Sequence, residues 1–384
     1  MRKRALVLGA GRVGKVIAAD LATDMDVTVV DGNIECLDNV TAWNGVSEWI
    51  SRVHRPNCLK NGVLKELIRM YDPDIVIGAL PSKLGYEAMR QVIGCNRKYV
   101  DISFMKEDPR KLDQYAREHG VTVVADMGIM PGLGNILAGH AFATLNKCTR
   151  LSISVGGVPT NPKPPFNYQA GFAPSDVIEE YVRPARMKID GEIVTKAALT
   201  DIKPIEFEGI GHFEEFNTDG LRTLLDLDIP NMVEKTIRWP GHAALMRVFR
   251  DSGFFSKERC MVNDEHVTPL DVTSNILFPL WNMEEGDEDI TLMKVMATGA
   301  EATDPMFIWN IVIPYGREMD CTSMSRATAL PCTTVARLVA DYTITQRGVI
   351  VPETLGQDEK LFDEIMLRLN EKGIIIDTKT ALSV

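Results

Sequence analysis

Up to Ala125 the chain alternates short apolar runs with stretches whose apolar residues recur at helical spacing, the signature of a parallel sheet wound with helices. The runs predict strands at 5–8, 27–30, 75–79, 99–102 and 121–125, with helices over 13–22, 63–71, 86–95 and 109–119. Asp108 followed by Pro109 supplies an N-cap with proline at the first helical position. A further strand is expected between Asn44 and Cys58, where no clean pattern marks it. From Gly128 the texture changes. Met127-Gly-Ile-Met-Pro131-Gly-Leu-Gly134 is turn-rich and runs into an apolar helix over 136–145. Alternating patterns then predict strands at 151–155, 204–208, 235–239, 290–297 and 306–313. Residues 159–165 form a stiff proline-rich loop, and a helix is expected over 333–343. The pattern places a domain boundary near residue 127.

A length of 384 residues suits two domains, and 45% hydrophobic with 25% charged residues is an ordinary globular balance. The net charge of −11 and the lack of a Lys/Arg stripe argue against nucleic acid as a partner. Met1-Arg-Lys-Arg is a basic start, but the apolar run behind it is too short for a signal peptide. No apolar stretch approaches the ~20 residues that a membrane span needs. The seven cysteines are scattered, with no C-x-x-C pair. That pattern predicts reduced thiols in a cytoplasmic protein and no zinc site. His54, His119, His140, His212 and His266 have no ligand spacing, so no metal is expected.

Gly9-Ala-Gly11-Arg12-Val13-Gly14 follows a predicted strand and opens a helix, and Asp31 closes the next strand 20 residues beyond Gly11. Gly9 permits the tight turn, Gly11 lets a pyrophosphate approach the backbone, and Gly14 lets helix and strand pack closely. Arg12 and Val13 lie in the first helical turn, whose N–H groups favour phosphate. Asp31 would accept both ribose hydroxyls and repel a 2′-phosphate, which favours NAD over NADP. The competing reading is a glycine-rich turn in a flavodoxin-like sheet without nucleotide. Leu80, Pro81 and Ser82 follow a later strand; they either line the nicotinamide side of the crevice or form a plain strand-to-helix loop.

Asp126-Met-Gly128-Ile-Met-Pro131-Gly132 resembles the D-x-G-x-x-P-G segment of the saccharopine dehydrogenase family. Gly156-Gly157-Val-Pro159 with Pro164-Pro165-Phe-Asn-Tyr168 is similar to its GG-[IV]-P…PP-x-x-Y segment. Phe216-Asn-Thr218-Asp-Gly220-Leu-Arg-Thr223-Leu224 and Lys235-Thr236-Ile-Arg238-Trp-Pro240-Gly241-His242 resemble F-x-T-x-G-x-x-T-L and K-T-x-R-x-P-G-H, the latter the most specific. Gly348-Val349, Pro352-Glu353 and Lys372-Gly373-Ile374 fit the tail. Asp219 and Leu221 depart from the small residues expected at their positions. The length and motif order most resemble the lysine 6-dehydrogenase branch.

The resemblance implies an α/β fold: a Rossmann doubly wound parallel sheet with an inserted mixed α/β substrate and dimerisation domain. Residues 1–127 and 325–384 would form the dinucleotide-binding domain and 128–324 the inserted one, in a homodimer. The implied reaction oxidises a C–N bond with NAD, removing hydride and ammonia at the ε-carbon of L-lysine. A saccharopine- or carboxynorspermidine-type dehydrogenase and a non-catalytic NAD-binding homologue are the alternatives.

Such chemistry needs a base, because the ε-ammonium, with a pKa near ~10.4, must lose its proton before hydride can leave. His242 is a candidate base, or else fixes the Pro240–Gly241 turn. Asp126, expected at the carboxyl end of a strand, is a base or counter-charge, or else a helix N-cap. Lys235 is a neighbouring donor or a solvated strand residue. The forked guanidinium of Arg238 is the first choice for the substrate carboxylate, with Arg326 the second. Tyr168 and Thr218 are candidate hydrogen-bonding walls. Trp239, Trp281 and Trp309 are expected in cores.

Overall fold

Runs such as Ala5-Leu6-Val7-Leu8 and Ile75-Val76-Ile77 offer no polar face to water, so they pack as parallel strands buried on both sides. The computed structural model describes residues 2–40, 47–171, 174–301 and 305–382. In chain order the first strands are β1 (Lys3–Leu8), β2 (Met25–Asp31), β3 (Ile50–His54), β4 (Ile75–Gly78), β5 (Lys98–Asp101) and β6 (Thr122–Val124). Next come β7 (Cys148–Pro159), β8 (Ala185–Ile189), β9 (Glu192–Lys196), β10 (Lys203–Phe207), β11 (Gly211–Asn217) and β12 (Asn231–Arg238). The last are β13 (Cys260–Val262), β14 (Glu265–Val267), β15 (Asp289–Gly299), β16 (Pro305–Pro314), β17 (Gly348–Ile350) and β18 (Ile376–Leu382).

One sheet has the order β17-β6-β5-β4-β1-β2-β3 with every pairing parallel. This is the doubly wound 3-2-1-4-5-6 order with β17 added beyond β6. The other follows β10-β11-β12-β7-β15-β16-β18, with β8 on β12 and β9 on β8. Among the described residues of that sheet only the β12–β7 pairing is parallel. The expected third strand is β3; residues 44–46 of its predicted region lie outside the described residues.

Two compact units result, residues 1–143, 316–321 and 325–374, and residues 144–315, 322–324 and 375–384. The expected change at 127/128 and the assignment of 375–384 to the first domain therefore need correction. The helix Leu133–Thr144 stays with the first unit because it packs backbone-close on the helix Pro352–Gly356. A Cβ on Gly139 would stand 1.9 Å from the Glu353 carbonyl oxygen, and one on Gly356 1.9 Å from that of Ile136. Asn135 also donates to Glu353 across this contact at 3.0 Å. Residues 375–384 leave the first unit because β18 pairs with β16. The C-terminal part is further tied to the first helix by charge, Arg337 reaching Asp20 at 2.6 Å and Asp24 at 2.7 Å while Lys372 reaches Asp20 at 2.5 Å.

In the second unit an aromatic core gathers Phe166, Tyr168, Tyr181, Phe216, Phe255 and Trp281. Strand alternation gives β12 two distinct faces, Glu234, Thr236 and Arg238 on one, Lys235 and Ile237 on the other. Among the described residues no helix is long and apolar enough to cross a membrane.

Candidate functional site

β1 ends at Leu8 and the chain turns at once. Gly9 takes φ +103°, and a Cβ there would stand 2.3 Å from the Ala79 carbonyl oxygen. A Cβ on Gly14 would lie 2.1 Å from the Gly9 carbonyl oxygen, so the helix Arg12–Ala22 rests directly on the turn. Gly11 is exposed, with nothing within 4 Å of where its Cβ would be, which leaves the backbone open to a phosphate. Arg12 and Val13 open the helix at its positive end. Asp31 closes β2 and accepts the Ala10 N–H at 2.6 Å and the Asn33 N–H at 2.7 Å, one with each carboxylate oxygen. The carboxylate is thus planted beside the glycine turn with lone pairs to spare. Leu80, Pro81 and Ser82 follow β4, the neighbour of β1, at the same carboxyl end of the sheet. The Ser103 hydroxyl donates to the Leu80 carbonyl at 3.0 Å and steadies this segment. The loop residues singled out from the sequence are therefore brought together, around a turn whose close packing a side chain on Gly9 or Gly14 would break and whose open side is at Gly11.

Two carboxyls stand at the same end of the sheet. Asp101 closes β5 and Asp126 follows β6; both are buried. Asp101 accepts the Tyr99 hydroxyl at 2.5 Å and the Ser103 N–H at 2.6 Å. Gly78 on the next strand makes room for this pair, since a Cβ there would stand 2.1 Å from Asp101 Oδ2. Burial pushes the Asp101 carboxyl up to about 7; the Tyr99 and Ser103 hydrogen bonds oppose that rise, and the charge of Asp126 adds to it. Asp126 takes left-handed backbone, φ +56°. It does not cap a helix: the nearest one begins at Leu133, where Asn135 Oδ1 accepts the Gly132 N–H at 3.1 Å. A buried carboxyl held near neutral pH in this way can exchange a proton with a substrate.

The second unit gathers Tyr168, Arg238 and His242. The Arg238 guanidinium is buried, donates to the Ile237 carbonyl at 2.9 Å and to Glu180 at 2.7 Å, and lies 4.7 Å from the Tyr168 ring centroid. Its fork is committed within the protein, which corrects the expectation of a free bidentate carboxylate clamp. The Nε–H has no acceptor among the described residues. His242 donates from Nδ1 to the Phe166 carbonyl at 2.9 Å, so Nε2 accepts the Tyr181 hydroxyl at 2.8 Å. Burial and the neighbouring Arg238 charge lower its pKa to about 3. With both nitrogens engaged and 1% exposure, His242 is placed as a neutral positioning residue, not as a base. It also opens the helix His242–Asp251, where the buried Glu214 accepts the Gly241 and Ala243 N–H groups at 2.9 and 2.6 Å.

Four residues before Arg238 on the same strand face, Glu234 accepts the Thr218 hydroxyl at 2.8 Å, and Thr218 also meets the Thr236 hydroxyl at 2.9 Å. Thr218 is thus a support for Glu234. Lys235, on the opposite face, is neither solvated nor near this cluster's face: it is buried and donates to Glu215 at 2.6 Å. Glu215 in turn accepts the Ser154 hydroxyl at 2.6 Å. Asp219 bridges Arg186 at 2.9 Å. Arg326 falls in the first unit, close against Gly316. Trp281 and Trp309 are buried, while Trp239 is half-buried and donates to the Pro159 carbonyl at 2.9 Å.

Sequence reasoning missed Tyr99, Asp101, Glu180, Tyr181 and Glu234. Asp101 was findable by the rule applied to Asp126, since it too ends a predicted strand. Counting back by four from Arg238, two steps along one strand face, would have found Glu234.

Residues 5–124 match the family model described as Saccharopine dehydrogenase NADP binding domain, and residues 128–374 match Saccharopine dehydrogenase C-terminal domain. The chain belongs to the saccharopine dehydrogenase family. It is 19% identical to the mitochondrial alpha-aminoadipic semialdehyde synthase of Mus musculus over 100% of its own length and 48% of that protein. It thus spans about half of that relative. It is 22% identical to the saccharopine dehydrogenase (NADP(+), L-glutamate-forming) of Pyricularia oryzae, covering 96% of this chain and 97% of the other. The apo saccharopine dehydrogenase (L-Glu forming) of Saccharomyces cerevisiae superposes with a TM-score of 0.81 at 18% identity, over 99% of this chain and 100% of that one. The homospermidine synthase of Legionella pneumophila, solved with NAD, gives 0.66 at 10% identity, over 99% and 92% of the two chains. These structural likenesses establish the fold of this family member.

Proposed function

We propose that this saccharopine dehydrogenase family member is an NAD-dependent oxidoreductase of the C–N bond of an amino acid, oxidising L-lysine at its ε-carbon with release of ammonia. The observation that carries the reading is the buried pair Asp101 and Asp126, at the same end of the sheet as the dinucleotide loop. A carboxyl titrating near 7 is matched to taking a proton from a bound ammonium at neutral pH. Once the nitrogen lone pair is free, the C–H bond of the ε-carbon breaks and hydride leaves. The bound nicotinamide ring supplies the hydride acceptor. Water then adds to the imine carbon, the C–N bond breaks, and ammonia departs. The carboxyl releases its first proton to solvent, then accepts the proton that the water gives up and returns it to the departing nitrogen.

Asp31 supports NAD as the cofactor. A ribose diol offers two donors to its carboxylate, whereas a 2′-phosphate would meet like charge. The relatives named for NADP(+) would differ from this chain in that respect.

Lysine is supported over saccharopine by charge balance in the second unit. Saccharopine carries three carboxylates and calls for converging arginines, but the Arg238 guanidinium here is already engaged by Glu180. The names of the relatives favour the saccharopine reading. A substrate panel separates the two: L-lysine should reduce NAD, and saccharopine should not. Turnover of saccharopine with release of an amino acid and no ammonia would make the second reading correct.

A further inference from the structure

Asp31 closes β2 on one side of β1, while β4 and then β5 lie on the other, in the order β5-β4-β1-β2. A dinucleotide with its pyrophosphate at Gly11 and one ribose on Asp31 must therefore lay its nicotinamide half over the ends of β4 and β5. Contacts run without a gap from the glycine turn to Asp101. A Cβ on Gly9 would stand 2.3 Å from the Ala79 carbonyl oxygen. The next carbonyl, that of Leu80, accepts the Ser103 hydroxyl at 3.0 Å, and the Ser103 N–H donates to Asp101 at 2.6 Å. Asp101 is buried, and its hydrogen-bond donors, Tyr99 and Ser103, are both neutral. Among the described residues no lysine, arginine or histidine pairs with it. A buried carboxyl without a cation thus stands at the strand ends to which the nicotinamide half is directed. That ring is positively charged when oxidised and neutral when reduced.

We propose that Asp101 is the counter-ion of the oxidised nicotinamide ring, so that NAD+ binds with loss of a proton from Asp101 and NADH binds with none. The inference rests on the dinucleotide part of the reading above and is independent of the choice of amino acid. Asp101 faces Tyr99 on its own strand, Asp126 from the end of β6 and Cys332 from the helix Ser323–Ala340. Burial, opposed by the Tyr99 and Ser103 hydrogen bonds and reinforced by the charge of Asp126, holds its carboxyl at about 7. Roughly half of the empty protein therefore carries this proton at neutral pH. When the positive ring arrives, the O–H bond of Asp101 breaks, the proton leaves to solvent, and the carboxylate faces the ring. By linkage, pH then sets the preference of the protein between the two redox states of its cofactor. The acid limb of kcat/KM for NAD reports the free protein and stays near 7, whereas that of kcat, read with the dinucleotide bound, should lie lower.

The test is calorimetric binding of NAD+ and of NADH to the whole chain between pH 6 and pH 9, each in two buffers of different ionisation enthalpy. The two ligands share every phosphate and ribose, so the difference between them isolates the ring charge. At pH 7 NAD+ should release roughly half a proton more per molecule bound than NADH, and the excess should fade by pH 9. The ratio of NAD+ to NADH affinity should fall about 5–10-fold from pH 8 to pH 6. Asp101→Asn should abolish both effects. Tyr99→Phe keeps the carboxyl but removes a donor to its ionised form, so its excess release should persist to higher pH than in the wild type. Equal release from the two ligands, an excess that survives in Asp101→Asn, or a pH range that does not move in Tyr99→Phe would overturn the counter-ion. Failure of both dinucleotides to bind would overturn it together with the cofactor reading on which it rests. The expected excess with no oxidation of L-lysine would leave the counter-ion standing and sink only the reaction.

Discussion

Replacing Asp101 with asparagine should change both the pH dependence of stability and that of catalysis. The carboxyl is fully buried and titrates near 7, about three units above the usual aspartate value of 3.8. At about 1.4 kcal/mol per unit, ionising it in the folded protein costs on the order of 4 kcal/mol. The sign follows from linkage. The folded state binds this proton more tightly than the unfolded chain, so the contribution is intact below pH 4 and is lost as pH rises to 7. D101N escapes that loss, because an amide stays neutral throughout the range. Urea unfolding at pH 5 and pH 8 should therefore show D101N gaining relative to wild type at the higher pH, by up to about 3 kcal/mol, the share of the loss that falls between pH 5 and 7, less whatever Tyr99 and Asp126 absorb. In the same pH range the wild-type kcat/KM should fall roughly tenfold per unit below pH 7, as the base is protonated. D101N should lose about 10²–10⁴ in kcat and should lack that acid limb. A stability difference that does not vary with pH, together with an acid limb that survives in D101N, would refute the assignment of this carboxyl.

Two further substitutions probe the cofactor loop and the second unit. Asp31→Ser should weaken NAD and relax discrimination against NADP, read from the ratio of kcat/KM values; an unchanged ratio would remove Asp31 from cofactor selection. His242→Asn should cost about 1–3 kcal/mol of stability, because the Tyr181 hydroxyl and Phe166 carbonyl lose a shared buried partner. Its pH–rate profile should keep the wild-type acid limb, and disappearance of that limb would restore His242 as the base.

Strands β1, β2, β4, β5 and β6 of the parallel sheet were legible because they are largely buried and read as apolar runs, whereas the three-residue β17 was too short to stand out. β3 was not legible either, because Ile50-Ser-Arg-Val-His54 has only two buried positions. The helix Leu133–Thr144 looked like the start of a new domain after the turn at Met127–Gly132. What keeps it in the first unit is contact with Pro352–Gly356 through Gly139 and Gly356, a pairing so distant along the chain that local pattern cannot reveal it. In the candidate site, the glycine fingerprint and Asp31 were readable because backbone geometry dictates their spacing. Arg238, Tyr168 and His242 were recognised as belonging to one place, but their roles depend on which partners consume their hydrogen-bonding capacity. Glu180 supplies the acceptor that commits Arg238, and Tyr181 the donor that commits His242; both come from a helix that no sequence motif pointed to.

The most direct measurement is the stoichiometry of reduced nicotinamide and ammonia formed from L-lysine and NAD in one reaction. One ammonia for each NADH is the predicted result. NADH formed without ammonia, or no NADH from lysine while saccharopine is turned over, would contradict it.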